Sequence, residues 1–122
     1  MTPLETAQEV IAQLRGYRVS FASELELQES IAEVLRDARL PFVREATIGA
    51  GDRIDFLVAD NVGLEVKIKG TLPEVTRQLF RYTKSEKLEV VVLVTTRAQH
   101  NHQPPMMNGK PVLVLPVGTR LL

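Results

Sequence analysis

Apolar residues recur at helical spacing over the first third of the chain, and this pattern predicts two helices. The first begins with the capping box Thr2-Pro3-Leu4-Glu5 and ends at Gly16. The second begins near Ser23, with Glu26 as its capping partner, and extends to about Arg39. Each helix has one apolar face, so both are expected to pack against a common core.

The apolar period changes to two after this helical region, which is the pattern of β-strands. Further along, Pro73 suits the first turn of a third helix that extends to about Lys84. The predicted strands cover residues 42–48, 53–58, 64–68, 89–95 and 112–117, and residues 97–107 are predicted as a loop. The order ααβββαββ predicts an α/β sandwich in a single domain over residues 1–122, with a mixed sheet of about five strands flanked by helices.

The hairpin of the second and third predicted strands gathers polar residues on one side. Side chains alternate along a strand, so pairing the apolar faces leaves Asp55, Glu65 and Lys67 together on the other side. A three-residue loop at 60–62 sets Asp55 across from Lys67, with Glu65 diagonally nearby. The apolar face is expected to contain Ile54, Phe56, Val58, Leu64, Val66 and Ile68.

Two converging carboxylates suit a hard divalent cation, because such ions prefer oxygen ligands. A lysine beside them can orient a water molecule or offset charge when a phosphodiester is hydrolysed. The alternative is an exposed hairpin face with ordinary cross-strand ion pairs. Asp52 is a competing carboxylate, but it lies in the predicted turn.

Polar residues also fall on the inward face of the second predicted helix. Glu24 and Gln28 lie within about 40° of the middle of its apolar face, where an acidic residue is unusual unless it is paired, binds a metal or lines a cleft. The alternative for Glu24 is a favourable charge at the helix N-terminus.

The third predicted helix adds Gln78 and Tyr82, which are four residues apart and therefore share a face. Partial burial with satisfied hydrogen bonds is the alternative for this pair. Arg77, Arg81 and Lys84 form a neighbouring basic stripe, suited either to phosphate contacts or to an ordinary solvated face.

The composition excludes several classes of protein. The 122 residues include no cysteine, which excludes disulfide scaffolds, thiolate zinc sites and cysteine nucleophiles. The longest apolar run, 90–94, is far too short for a membrane span, and the chain starts without a secretory signal, so we expect a cytoplasmic protein. Residues 1–65 carry six basic and twelve acidic side chains, and residues 66–122 carry nine and three. This asymmetry indicates either an anionic partner or an accident of chain order.

Taken together, these residues resemble the PD-(D/E)XK nuclease superfamily, whose core is an αβββαβ arrangement. Glu24 matches the helix glutamate of the family, Asp55 its strand aspartate, and Glu65-Val66-Lys67 its E-x-K motif. Residues 78–82, Q-L-F-R-Y, are similar to the Q-x-x-x-Y element of the RecB-like branch, which includes lambda exonuclease. The resemblance implies a restriction-endonuclease-like fold.

The resemblance also implies Mg²⁺-dependent hydrolysis of phosphodiester bonds in DNA, with Mn²⁺ as a substitute metal. Lys67 would position the attacking water, while Gln78 and Tyr82 would orient the site or the substrate strand. The implied metal ligands are Asp55, Glu65 and the backbone carbonyl of Val66, together with Glu24, which would bind the metal directly or through water. The basic residues expected to contact nucleic acid are Lys69, Arg77, Arg81 and Lys84.

The chain departs from the family in two respects. Ile54 stands where the family name has proline, which leaves the role of Asp55 intact. Little is added to the core, which favours a small endonuclease, a structure-specific nuclease or a subunit that acts as an oligomer over a processive exonuclease. The small size and the family resemblance also suggest an origin in a phage or mobile element. A homodimer is one expected assembly, since junction resolvases of this size act as dimers. Two alternatives are an inactive nuclease-fold module that binds nucleic acid or protein, and an assembly protein with an accidental charge cluster.

The letters of His100-Asn101-His102 coincide with the name of the HNH nuclease class. That class requires widely spaced histidines in a ββα-metal unit, whereas these three residues are adjacent in a predicted loop. We therefore assign no metal role to His100 or His102, and contact of this loop with substrate is the preferred functional interpretation.

Overall fold

The computed structural model describes residues 1–17 and 22–118 of the chain. Within these ranges the chain forms three α-helices, six strands and one short 3₁₀ helix at Ala98–Asn101. The helices are α1 (Pro3–Arg15), α2 (Glu24–Asp37) and α3 (Leu72–Tyr82). The strands are β1 (Phe42–Gly49), β2 (Asp52–Val58), β3 (Val62–Lys67), β4 (Val90–Thr95), β5 (Met106–Met107) and β6 (Lys110–Pro116).

Each α-helix begins at a hydroxyl side chain that accepts a hydrogen bond from the backbone N–H three residues later. Thr2 and Glu5 form the complete capping box predicted for α1, and Ser23 caps α2 as predicted. Thr71 caps α3 in the same way, with Pro73 in the first turn. None of the helices in the described ranges has the length and apolar character that a membrane span requires.

The strands form one mixed sheet in the order β1-β2-β3-β4-β6-β5. The strands β1, β2 and β3 are antiparallel, whereas β3, β4 and β6 are parallel. Helices α1 and α2 cover one face with a large apolar cluster, and α3 covers part of the other face with a second cluster. Both faces of the central strands are therefore buried, which confirms the predicted α/β sandwich.

The segment predicted as a loop over residues 97–107 contains two short elements, so that prediction was partly wrong. The Asn108-Gly109 turn was predicted, and both residues have positive φ, 52° and 76°. This turn folds Met106–Met107 back against β6 as a two-residue edge strand. The described sheet consequently has six strands instead of about five.

The register of the β2–β3 hairpin also differs from the prediction. The loop is residues 59–61 instead of 60–62, because Val58 pairs with Val62 and Phe56 pairs with Leu64. Continuing this register places Asp55 level with Glu65, not with Lys67. The offset is two residues, which preserves the alternation of faces, so Asp55 and Glu65 still lie side by side.

Ile54 lies in a different cluster from the one predicted. Phe56 and Val58 pack with α1 and α2, but Ile54 joins the cluster under α3. Two local features coincide with this change of face: Glu45 on the neighbouring strand has a left-handed φ of 52°, and the paired register of β2 with β3 stops at Phe56. A Cβ at Gly63 would lie only 2.5 Å from Ile54 Cδ1, so a larger residue there would require the Ile54 side chain to shift.

Candidate active site

Two carboxylates replace backbone hydrogen bonds at the point where β2 and β3 separate. Asp55 Oδ2 accepts a hydrogen bond of 2.8 Å from the backbone N–H of Val66. In return, Glu65 Oε1 accepts one of 3.2 Å from the backbone N–H of Asp55. The two acids are thus held across adjacent strands by reciprocal contacts with the backbone, which fixes their positions without a ligand.

The carboxylate of Glu65 is unusual because only 3% of this residue is exposed. Burial, followed by the charge of Asp55, raises the pKa of Glu65 to about 8, although Lys67 acts in the opposite direction. Burial likewise raises the pKa of Asp55, while its hydrogen bond from Val66 lowers it. Two neighbouring carboxylates that resist ionisation together form a site that a cation would stabilise.

Lys67 connects this carboxylate pair to an open cleft. Its Nζ lies 3.6 Å from Glu65 Oε2, and its side chain is 22% exposed. The cleft has a volume of about 420 Å³. Its lining residues are Glu24, Lys67, Lys69, Gly70, Glu74, Val75, Gln78 and Arg81.

Glu24 extends from the first turn of α2 into the same cleft. Partial burial and the negative charge of Asp55 raise the pKa of Glu24, whereas Lys67 and Lys69 lower it. These effects place Glu24 in the electrostatic field of the carboxylate pair. Glu24 therefore lies on the inward side of α2, in the cleft, where its helical position predicted it.

The donor set fits a divalent ion that keeps part of its hydration shell. In the described ranges, no cluster of three or more His, Asp or Glu side chains could by itself hold a metal ion. Asp55 and Glu65, which lie together, would offer two hard oxygen ligands. Mg²⁺ is commonly bound through one or two carboxylates, with waters and substrate phosphate completing its octahedron.

Gln78 and Tyr82 form a hydrogen-bonded pair on α3. Gln78 Nε2 donates a bond of 2.8 Å to the hydroxyl of Tyr82, which is 4% exposed. Burial, and then the charge of Glu65, raises the pKa of Tyr82 to about 12, so its hydroxyl keeps its proton at neutral pH. The pair therefore places a fixed amide in the cleft. The buried hydroxyl of Tyr82 lies close enough to Glu65 for the carboxylate charge to raise its pKa.

The predicted basic stripe is divided between two sides of α3. Arg81 lines the cleft, where its Nε donates a bond of 2.9 Å to Asp52 Oδ1. Arg77 lines a separate groove, and the ammonium of Lys84 lies 5.0 Å from the ring centroid of Phe80. Asp52, the competing carboxylate, is thus paired with Arg81 instead of with the acids of the site.

Two acidic residues near the site are not among those predicted from the sequence. Glu45 is exposed on β1, and its charge raises the pKa of both Asp55 and Glu24. Glu74 lines the cleft and accepts a hydrogen bond from Thr71 at the start of α3. The T-x-x-E spacing of the latter pair is a capping signal, whereas nothing in the sequence distinguishes Glu45 from other exposed acids.

His100 itself is not available for the substrate contact predicted for its loop, because this side chain is completely buried. Its Nε2 lies 2.7 Å from the carbonyl oxygen of Gly70, which can only accept, so Nε2 carries the proton. Its Nδ1 therefore accepts from the hydroxyl of Thr95, 2.6 Å away. His100 thus ties the end of β4 to the glycine that lines the cleft, while His102 is exposed.

We expect His100→Ala to lower the free energy of unfolding by about 1–3 kcal/mol, because it leaves a cavity and an unpaired carbonyl at Gly70. Urea unfolding monitored by circular dichroism measures this loss. The matched control, His102→Ala, removes an exposed histidine two residues away and should stay within about 0.5 kcal/mol of the parent protein. Equal losses in the two variants would contradict the structural role of His100.

A family model of the PD-(D/E)XK nuclease superfamily matches residues 14–104, and the chain belongs to this superfamily. The mixed sheet between helices agrees with the restriction-endonuclease-like fold that the sequence resemblance implied. The match is to the superfamily as a whole, so membership of the RecB-like branch stays a prediction. Comparisons with curated proteins and with solved structures give no significant match.

Proposed function

We propose that this protein is a Mg²⁺-dependent nuclease that hydrolyses phosphodiester bonds in DNA, as a small endonuclease or a structure-specific nuclease. The observation that carries the proposal is the arrangement of Asp55, Glu65 and Lys67 at the opening between β2 and β3. The two acids are fixed by the backbone, and the lysine connects them to a cleft open to substrate. Membership of a nuclease superfamily supports the same reaction class.

The carboxylate pair would hold the metal, together with the backbone carbonyl of Val66. Glu24, which lines the adjoining cleft, would bind the metal directly or through water. When bound, the ion supplies Lewis-acid polarisation of the phosphate and lowers the pKa of a coordinated water. Burial of Glu65 strengthens the attraction of the ionised pair for a cation.

Lys67 would position the attacking water and offset negative charge on the phosphate. Its ammonium is held near Glu65 and is partly exposed to the cleft, so it can meet both the water and the substrate. In the proposed reaction the attacking water gives a proton to solvent as its oxygen forms a bond to phosphorus, one P–O ester bond breaks, and the leaving oxygen takes up a proton from solvent. An ammonium that is already in place stabilises the negative charge of the transition state, because it need not move during the reaction.

Residues of α3 and the adjoining loop would orient the DNA strand. Gln78 presents an amide whose position is fixed by Tyr82, which suits it for alignment of substrate. Lys69 is exposed at the cleft, and a backbone phosphate could compete with Asp52 for the guanidinium of Arg81. Arg77 and Lys84 would contact nucleic acid outside the cleft.

The test is a cleavage assay with supercoiled, linear and branched DNA and with RNA, in Mg²⁺, Mn²⁺ or EDTA. We expect DNA cleavage that requires a divalent ion and is lost in Lys67→Ala. Binding without cleavage of any substrate under any metal would overturn the proposal in favour of an inactive nucleic-acid-binding module.

Light scattering on the same preparation tests the predicted homodimer, since two chains would double the mass of 13.6 kDa.

A further inference from the structure

A second cavity lies on the side of α3 that faces away from the cleft. This groove has a volume of about 390 Å³. Its largest apolar residues are unusually accessible, since Phe80 is 42% exposed and Met106 is 53% exposed. The groove is lined by Thr76, Arg77, Phe80, Pro104, Met106, Met107 and Asn108.

Hydrogen bonds at two places hold the walls of this groove together. At one end, the Thr76 hydroxyl donates a bond of 3.0 Å to the side-chain oxygen of Gln103. At the other end, Asn108 Nδ2 donates bonds of 3.0 Å to the Phe80 carbonyl oxygen and to the Thr83 hydroxyl. The groove is therefore preformed, and a ligand would enter it without ordering its walls first.

One polar atom beside the groove lacks a partner. Gln103 Nε2 is buried and makes no hydrogen bond within the described part of the chain. If the amide were turned over, its oxygen would occupy this position, so either orientation leaves one amide atom unsatisfied. Such an atom costs free energy of folding, and because it is buried it does not itself contact a ligand in the groove.

Two basic side chains lie at the groove. Arg77 is part of its lining, and Lys84 Nζ lies 5.0 Å from the centroid of the Phe80 ring. The opposite wall, residues 103–108, belongs to a part of the chain in which no acidic residue follows Glu89. An aromatic and thioether surface with cations beside it is complementary to a nucleobase attached to phosphates.

We propose that this groove binds an unpaired nucleobase of the DNA strand, stacked on Phe80 and flanked by Met106, while Arg77 and Lys84 contact the adjoining phosphates. The inference rests on the proposed nuclease function and adds the substrate class: DNA with a single-stranded or extruded nucleotide near the cut. A duplex offers no free base face, so fully paired DNA would leave the groove unused.

The position of the groove relative to the cleft supports this assignment. Gln78 and Arg81 line the cleft, whereas Arg77 and Phe80 line the groove, so the two cavities lie on either side of α3. The width of a helix with its side chains is about 10–12 Å, a distance that a few nucleotides of single strand can span. One strand could therefore occupy both cavities at once.

The binding test uses fluorescence anisotropy with labelled oligothymidine and, separately, a blunt duplex, both in EDTA so that no cleavage occurs. We expect Phe80→Ala to weaken binding of oligothymidine about tenfold and binding of the duplex less than twofold. Phe80→Leu keeps the apolar bulk without the aromatic face and should show most of the same loss. Arg77→Ala should reduce the slope of log affinity against log salt, whereas Phe80→Ala should leave it unchanged.

The matched control is Val43→Ala, which shortens a side chain that is 57% exposed on β1, at the opposite edge of the sheet from β5. It should bind oligothymidine within twofold of the parent protein. Photo-crosslinking of oligonucleotides that contain 5-iodouracil, with peptides mapped by mass spectrometry, should mark Phe80 or Met106.

Three outcomes would overturn the inference: unchanged oligothymidine binding in Phe80→Ala, a crosslink that maps elsewhere, or a dimer that dissociates in this variant. The last result would identify the groove as an interface between two chains. The proposed nuclease function is tested separately by cleavage in the parent protein, which is independent of Phe80. Cleavage with unchanged binding in Phe80→Ala would refute the groove assignment alone.

Discussion

Asp55→Asn is expected to lower the rate of DNA cleavage at least about a thousandfold while leaving the fold intact. Asparagine keeps an oxygen that can accept the 2.8 Å bond from the N–H of Val66, so the contact between β2 and β3 survives. What is lost is the negative charge that would attract the metal. Single-turnover cleavage in saturating Mg²⁺ measures the rate, and thermal melting in EDTA verifies the fold.

The matched control is Asp52→Asn, three residues earlier on the same strand. Asp52 is paired with Arg81 at the edge of the cleft, where the arginine side chain is 55% exposed. Exposed pairs contribute little, so this variant should change the cleavage rate less than about tenfold. If both variants lost activity to the same degree, the choice of Asp55 over its neighbour would be wrong.

The predictable part of the site depended on local periodicity. Alternation along two strands joined by a short turn was enough to bring Asp55 and Glu65 together, and it tolerated a register error because that error was two residues. The spacing of four residues likewise placed Gln78 beside Tyr82. Residue spacings of this kind place side chains correctly even when the predicted ends of strands and helices are slightly wrong.

Other features depend on contacts between distant segments, which a pattern of apolar residues does not contain. Arg77 and Arg81 are neighbours on one helical surface, yet they line different cavities because the segments near Gly70 and Pro104 define those cavities. The buried role of His100 depends on Gly70, thirty residues away in the sequence. The packing of Ile54 against Gly63 similarly required the three-dimensional course of β2.

The second large expected effect is a loss of stability of the metal-free protein as the pH rises from 5 to 8.5. The pKa of Glu65 is about 8 in the fold, compared with its ordinary value of 4.5, so the folded state binds the additional proton between these values. Stability is therefore highest below the lower value and falls as the pH approaches the higher one. Each unit of difference between these two pKa values is worth about 1.4 kcal/mol, so the free energy of unfolding falls by several kcal/mol.

Glu65→Gln should remove most of this pH dependence. Glutamine keeps an acceptor for the N–H of Asp55 but does not ionise, so in EDTA at pH 8.5 the variant should melt about 5 °C or more above the parent protein. The gain should be smallest at pH 5. Glu33→Gln, an exposed position on α2, should leave the profile unchanged.

Added Mg²⁺ provides the decisive comparison, because it would stabilise the ionised pair of Asp55 and Glu65 in the parent protein. At pH 8.5 the parent protein should gain melting temperature with Mg²⁺, and Glu65→Gln should gain much less. A flat pH profile in EDTA would show that Glu65 ionises freely in the fold. Equal Mg²⁺ gains in the two proteins would place the bound ion elsewhere, since only one of them carries the second carboxylate.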